Sequence, residues 1–419
     1  MNFSSELIER GFIHQFTASN LEEIFNGEKK TIYQGIDPSA DSAHVGNMVI
    51  WLLLRHLAND GHKIIFLVGG GTGMIGDPKP DSERELKAPD LVAANVAKIK
   101  QQAQNFITSQ EVEFVNNYDW LGELKLIDFL RDIGKHFTVN DLIKKDAIAT
   151  RLQSDTGLSY TEFAYPLLQG YDYLKLFTDK NATLQVGGSD QWGNLVAGVD
   201  LIRRKTGESV HALTVPLVID KTTGKKFGKS EGNAVWLDAE KTSPYQFYQF
   251  WLNVSDEGVI DYLKLFTFIS LEEIQKIKQE FELNPGSRLA QKKLAFAVTE
   301  LVHGEESAKL VEEVSAILFG GKSVVNISEL GKKVLLENAP TTKVKGGDLV
   351  IDVLVATNLA TSKREARTFI ESGAVAVNDN KVMSIDVVVT EADLHNGIAI
   401  LRRGKKQLCV LEVEYQGKV

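Results

Sequence analysis

Short apolar runs at 31–36, 63–68, 112–116, 183–186 and 212–219 alternate with longer stretches, such as 91–109, 127–134 and 191–205, that carry apolar residues at three-and-four spacing. This regular change of period has few packing solutions, and the one expected is a mostly parallel, doubly wound sheet with crossover helices on both faces. Ligands of such sheets lie outside the carboxyl ends of the strands, so the residues after each run are where function is sought. Beyond Pro244 the period becomes helical throughout, over 244–253, 271–282 and 288–303. The expected order is a Rossmann-like α/β domain over 1–235, an α-helical domain over 236–320, a linker over 321–347 and a small α+β unit over 348–419. In that last unit Ser362 and Glu365 read as a capping box, Gly373 as a left-handed helix end, and 374–377, 398–401 and 407–413 as strands.

Composition narrows the class. A single cysteine, Cys409, excludes a disulfide framework and a Cys-rich zinc site. No apolar run approaches the roughly 18 residues of a membrane span, and the opening residues lack the order of a signal peptide, so a cytoplasmic protein with no membrane partner is expected. The formal charge of −9, from 47 Lys and Arg against 56 Asp and Glu, argues on its face against a nucleic-acid partner. Its distribution argues otherwise. From Lys343 onward 11 Lys and Arg stand against 10 Asp and Glu, with cations gathered at Lys363, Arg364 and Arg367 and again at Arg402, Arg403, Lys405 and Lys406 around Gly404. The plain alternative is a solvated turn beside an ordinarily charged helix.

Five segments carry side chains suited to chemistry. The first strand, with Tyr33, leaves through Asp37-Pro38-Ser39 toward His44-Val45-Gly46-Asn47, where a helix start would offer donors and a positive dipole end to a polyphosphate. The second runs into Gly69-Gly70-Gly71-Thr72-Gly73-Met74-Ile75-Gly76-Asp77-Pro78. Gly71, Gly73 and Gly76 satisfy a dinucleotide fingerprint, but Pro78 and Pro80 break the helix that fingerprint needs, so the stretch reads as a floor with Asp77 facing a cationic group and Lys79 and Arg84 beyond it. Tyr165, Gln169 and Asp172 share one side of a helix, which is otherwise read as a solvated face. Gly187-Gly188-Ser189-Asp190-Gln191 leads a strand into a helix, with Asp190 set for a ribose hydroxyl or, more plainly, with Ser189 or Asp190 as an N-cap. The loop Lys225-Lys226-Phe227-Gly228-Lys229-Ser230 is one residue short of a phosphate-binding P-loop; its lysines suit neutralisation of a phosphate in a transition state.

Together these residues resemble a known family. His44-Val45-Gly46-Asn47 and Lys226-Phe227-Gly228-Lys229-Ser230 resemble the two signatures of class I aminoacyl-tRNA synthetases. The stretches 162–172 and 187–194 look like the bacterial tyrosyl-tRNA synthetase branch, and the last unit is similar to the RNA-binding domain of ribosomal small-subunit protein four. The resemblance implies activation of L-tyrosine by ATP and transfer to tRNA(Tyr) by a homodimer across which the tRNA spans, with Mg2+ accompanying ATP and no dedicated protein metal site. It assigns Tyr33 and Asp172 to the substrate phenol, Asp77, Tyr165 and Gln169 to its ammonium, and Asp37 and Gln191 to the rest of the tyrosine pocket. Ser39, His44, Gly46, Asn47, Gly188, Asp190 and Ser230 would meet ATP, while Lys79, Arg84, Lys226 and Lys229 would close over pyrophosphate. Arg203 and Arg204 would contact the acceptor end, and Lys363, Arg364, Arg367, Arg402, Arg403, Lys405 and Lys406 the rest of the tRNA. Asn47 replaces the usual second histidine of the first signature, and Phe227-Gly228 replaces Met-Ser in the second.

Two other readings compete. A catalytically inactive RNA-binding protein of the same fold would be expected to lose Tyr33, Asp172, His44 or the loop lysines, and all are present. A tryptophanyl-type enzyme would have no use for Tyr33 and Asp172 as a phenol clamp, and the proline-broken glycine stretch argues against an oxidoreductase.

Overall fold

Apolar β-branched and aromatic runs of five or six residues build the first sheet. The computed structural model describes residues 2–79, 82–108, 112–153, 157–230, 233–404 and 407–414. The chain divides into two compact units, Met1–Thr242 with Val254–Leu294 and Ser243–Asn253 with Ala295–Val419. The first holds β1 (Gln15–Phe16), β2 (Thr31–Ile36), β3 (Lys63–Val68), β4 (Val112–Asn116), β5 (Ala182–Gly188) and β6 (His211–Val215). Their order is β1-β6-β5-β2-β3-β4, and β1 alone runs antiparallel to its neighbour. Central β3 is buried from Ile64 to Val68, as a strand covered on both faces must be.

This order places the site. From β2 the chain steps outward to β3 and β4, then crosses back to β5 on the other side of β2. The crevice beyond the carboxyl ends of β2 and β5 is therefore the topological switch point. Two helices wall it. Val45–Asn59 drives Trp51, Leu52, Leu53 and Leu54 into the core, and Tyr160–Lys180 starts at an N-cap on Ser159 and ends on left-handed Asn181.

The expected strands 31–36, 63–68 and 112–116 coincide with β2, β3 and β4. The run 212–219 stops at Val215, because Pro216 has no N–H to donate; Ile219 instead bridges to Lys226. After the glycines a single 3₁₀ turn, Thr72–Met74, forms and the next helix waits until Pro89–Phe106. A two-stranded ribbon follows the second lysine motif, β7 (Lys229–Ser230) with β8 (Asn233–Ala234).

The second unit includes a five-stranded sheet of β9 (Thr341–Val344), β10 (Val375–Val377), β11 (Asn380–Lys381), β12 (Ile398–Arg403) and β13 (Gln407–Val413), ordered β11-β10-β12-β13-β9. Its core joins Val350, Leu354, Ala366, Ile370, Leu401 and Leu411. Here two expectations change. Residues 321–347, read as a linker, hold the helix Glu329–Asn338 and strand β9, which pairs in parallel with β13. Thr341-Thr342-Lys343-Val344 is short and mostly polar, so it shows no strand period; its place is set by the backbone of Val410–Val413. The capping box is also only half made. Ser362 Oγ accepts from the Glu365 N–H, but the Glu365 carboxylate accepts from the N–H and hydroxyl of Thr361.

Candidate active site

Tyr33 lies in β2, and its buried hydroxyl meets no hydrogen-bond partner; Asp172 stands close enough to raise its pKa further above the value that burial already imposes. The Asp172 carboxylate accepts from Trp120 Nε1 at 2.7 Å and from Asn117 Nδ2 at 2.9 Å, yet burial still lifts its pKa to about 7. Asn117 also donates to Thr72 Oγ1, which donates to Asp37 Oδ1 at 2.7 Å, while Tyr165 gives its hydroxyl proton to Asp37 Oδ2 at 2.9 Å. One polar chain thus runs Asp172–Asn117–Thr72–Asp37–Tyr165. The Gln169 Oε1 is buried and without a partner. The side of the helix carrying Tyr165, Gln169 and Asp172 is therefore not a solvated face; it closes the crevice.

Around this chain the glycines do steric work. A Cβ on Gly69 would stand 2.1 Å from Asp37 Oδ1, and one on Gly70 would stand 2.3 Å from Asn116 Oδ1. The amides of Gly70 and Gly71 donate to Asn116 and Asn117. Asp77 accepts from Gln191 Nε2 at 2.8 Å and Asn194 Nδ2 at 3.1 Å, and burial raises its pKa. Asp37, Asp77 and Asp172 are thus carboxyls whose ionised forms are held back mainly by burial, and none forms an ion pair among the described residues. A bound cation would release that penalty.

The loop after Asp77 is pinned from beneath. Arg151, fully buried, pairs with Glu162 at 3.2 Å and donates to the main-chain carbonyls of Lys79, Ser82 and Gly157. Arg84 gives its N–H to Glu162 Oε1 and its Nε to the Asp77 carbonyl. Lys79 itself is exposed.

His44 is the N-cap of Val45–Asn59. Its Nδ1 accepts from the Gly46 N–H, and the His44 N–H donates to Asn47 Oδ1. With Nδ1 accepting, the neutral ring carries its proton on Nε2. Gly46 is needed there, since a Cβ would come within 2.8 Å of the His44 ring. The second signature is fastened to this helix start: the Val45 N–H donates to the Val235 carbonyl, His44 bridges Trp236, and Gly228, at φ +82°, packs against Val45. Phe227 is buried against Tyr262 and Phe266, which leaves Lys226 exposed. Lys229 and Ser230 follow in β7 by their backbone. Ser39 is exposed, with its N–H on the Asp37 carbonyl. Asp190 is exposed beside Gly188, and the helix Trp192–Thr206 has no side-chain cap, so the N-cap reading of Ser189 or Asp190 is not the one observed.

The cations expected at nucleic acid divide by surroundings. Arg203 pairs with Asp200, and Arg204 donates to the His136 carbonyl on the wall of a cavity of about 610 Å³ that also reaches Asp77, Trp192 and Lys145. Arg364 and Arg367 are exposed, Lys363 pairs with Asp352, and Arg403 lies over the Phe369 ring at 4.6 Å. Arg402 differs from the others: its guanidinium donates to the carbonyls of Ile317 and Leu318 and lies 3.7 Å from Asp379. Lys405 and Lys406 lie outside the described residues.

Three residues of the crevice are given no role from the sequence: Asn117, Trp120 and Asn194. The first two follow β4 and reach Asp172 only through the fold. A hint existed for Asn117, since Asn116-Asn117 follows a strand at its carboxyl end.

The comparisons agree with this geometry. Residues 26–320 match the family model of class I tRNA synthetases (W and Y), so fold and site define a class I aminoacyl-tRNA synthetase. Residues 332–411 match the model of the tyrosine–tRNA ligase SYY-like C-terminal domain. The tyrosine–tRNA ligase of Lactococcus lactis subsp. cremoris (strain MG1363) is 46% identical over 420 residues, 98% of this chain and 100% of that protein. That of Streptococcus pneumoniae (strain CGSP14) is 47% identical with the same coverage. The crystal structure of a C-terminally truncated Aspergillus nidulans mitochondrial tyrosyl-tRNA synthetase superposes at a TM-score of 0.69, with 31% identity over 76% of this chain and 94% of that one. The chain belongs to the tyrosine–tRNA ligase family, a family of aminoacyl-tRNA ligases.

Proposed function

We propose that the chain joins L-tyrosine to the 3′ end of tRNA(Tyr) in two steps, with the residues of the crevice in the following roles. The carboxylate of tyrosine attacks the α-phosphorus of ATP, the bond from that phosphorus to the bridging oxygen of the β-phosphate breaks, and its electron pair leaves on pyrophosphate. The terminal ribose hydroxyl of the tRNA then takes the tyrosyl group and adenylate departs. The observation that carries this reading is the partnerless Tyr33 hydroxyl facing Asp172 in a closed apolar wall. A phenol entering there accepts from Tyr33 and donates to Asp172; phenylalanine leaves the Tyr33 hydroxyl unpaired, at a cost of about 1–3 kcal/mol, and adds no donor for Asp172 beyond Trp120 and Asn117.

The ammonium of tyrosine is held among Asp77, Tyr165 and Gln169, with Asp37 and Gln191 behind them. Nothing in this set is a covalent catalyst, so rate comes from positioning and from charge placed where the transition state gains it. His44 Nε2, the Asn47 amide and the helix start meet the phosphates; Gly46 and Gly188 admit the nucleoside, and Asp190 takes its ribose. Arg84, Lys226, Lys229 and Ser230 draw off pyrophosphate. Among the described residues no group of three or more His, Cys, Asp or Glu is arranged to hold a metal ion, and Mg2+ enters with ATP as part of the substrate.

The acceptor end approaches over Arg203, Arg204 and the cavity beside Asp77, where burial lowers the pKa of Lys145 to about 8. Two copies associate through an apolar surface. Of 19 large apolar side chains exposed among the described residues, eight fall within 118–160, among them Ile127 at 71% and Tyr160 at 72% exposure, which is where an interface would hide them. No helix among the described residues is long and apolar enough to cross a membrane, and the proposed site of action is the cytoplasm, with its tRNA.

Tyrosine-dependent exchange of pyrophosphate into ATP tests the reading. Exchange is expected with tyrosine and not with tryptophan, and Tyr33→Phe should lower kcat/KM for tyrosine by about 10–100-fold while leaving phenylalanine almost unaffected. Exchange with tryptophan, or with no amino acid at all, would overturn it.

A further inference from the structure

Lys87 has no part in the roles given above, and its surroundings are unusual. It lies just before the helix Pro89–Phe106, on the loop that returns from Arg84, and its Nζ donates to the main-chain carbonyl of Ser39. Ser39 stands between Asp37 and the His44 helix start, on the phosphate side of the crevice. Partial burial is the largest influence on Lys87 and lowers its pKa; Arg84 and Lys79 are near enough to act in the same direction, and Asp37 and Glu85 near enough to oppose them.

Among the described residues none of Lys79, Arg84 and Lys87 forms an ion pair with a carboxylate, in a chain where acidic side chains outnumber basic ones by 56 to 47. Arg84 and Lys87 are each bonded to a main-chain carbonyl and stand near each other and Lys79, so three cations gather beside Asp37 and Glu85 without a salt bridge among the described residues, and a polyanion is what would supply the missing ion pairs. The placement is also enforced, because the buried Arg151–Glu162 pair holds the carbonyls of Lys79 and Ser82 and the N–H of Arg84.

We infer that Lys87 is a substrate-contacting residue, which leaves the Ser39 carbonyl to bind the β- and γ-phosphates of ATP and stabilises them as they depart as pyrophosphate. The inference rests on the proposed synthetase reaction and deepens it. As the bond from the α-phosphorus to its bridging oxygen breaks, negative charge accumulates on the pyrophosphate, and an ammonium facing it gains more in the transition state than in the ground state.

The test is pyrophosphate exchange by the full-length protein carrying Lys87→Ala, Lys87→Gln or Lys87→Arg, with ATP, pyrophosphate and tyrosine varied separately. Alanine and glutamine should each lower kcat/KM for ATP and for pyrophosphate by about tenfold or more, with KM for tyrosine within about twofold, and arginine should restore most of the loss. Glutamine keeps a donor for the Ser39 carbonyl and removes the charge. A glutamine variant as active as the unaltered protein would show a mere tether and overturn the assignment, as would an unchanged alanine variant. If the unaltered protein exchanges nothing with tyrosine, the synthetase reading falls and this one with it; if it exchanges and the variants match it, only Lys87 has been misplaced.

Discussion

Asp37 and Asp77 hold the clearest electrostatic lever in the molecule. Burial raises Asp37 from an ordinary carboxyl value to about 6 in spite of its bonds from Thr72 and Tyr165, and raises Asp77 as well. Between about pH 4 and 6 the folded, unliganded chain therefore holds protons that the unfolded chain has lost, so this contribution to stability falls as pH rises through that window. An ammonium brought against these carboxyls favours their ionised forms, and it must displace protons to bind below about pH 6. Calorimetric titration with tyrosine should give tighter binding by about tenfold between about pH 5 and 7, with protons released at the acid end. Affinity that is flat over that range would place the ammonium elsewhere.

At the scale of elements, the join between the two signature segments decides whether the lysine loop can reach the phosphates. Gly228, at φ +82°, would bring a Cβ to 3.1 Å from the Cβ of Val45. Gly228→Ala should push the loop off the helix start and slow adenylate formation by about tenfold, while tyrosine affinity stays within about twofold, as single-turnover kinetics and equilibrium binding would read. Equal losses in both would mean that the whole crevice had moved. The elements themselves were largely legible. Strand β3 announces itself because it is buried on both faces and reads as an unbroken apolar run, while β2 and the half-buried edge strand β4 are legible from β-branched and aromatic residues between turn signals. What escaped was structure held by partners rather than by period: two-residue β1, polar β9, and the Asn117 and Trp120 side chains that complete the Asp172 site. The partners of Arg402 escaped in the same way, since only the fold brings the carbonyls of Ile317 and Leu318 near it.

Over the whole molecule, the net charge of −9 conceals a division of labour. In the proposed reaction the crevice supplies buried carboxyls for an ammonium, whereas a tRNA meets exposed cations, three of which stand on the helix Lys363–Glu371 of the second unit. Of those, Arg364 and Arg367 are exposed, while Lys363 is engaged by Asp352. Arg364→Ala with Arg367→Ala should weaken tRNA binding and reduce the slope of log affinity against log salt by about 2, measured by filter binding, with pyrophosphate exchange unchanged. A slope that does not move would return this helix to the role of a solvated surface.

Strand β9 has a practical consequence for anyone who would cut the chain. A fragment beginning at Asp348, where the helical grammar of the last unit starts, would discard Thr341–Val344 and strip β13 of its parallel neighbour. The row of N–H and C=O groups so uncovered is a template for pairing with another chain, and the fragment would be prone to self-association. Cleavage upstream of Ser328 keeps both the helix Glu329–Asn338 and the edge strand, and the severed piece then carries its own cover.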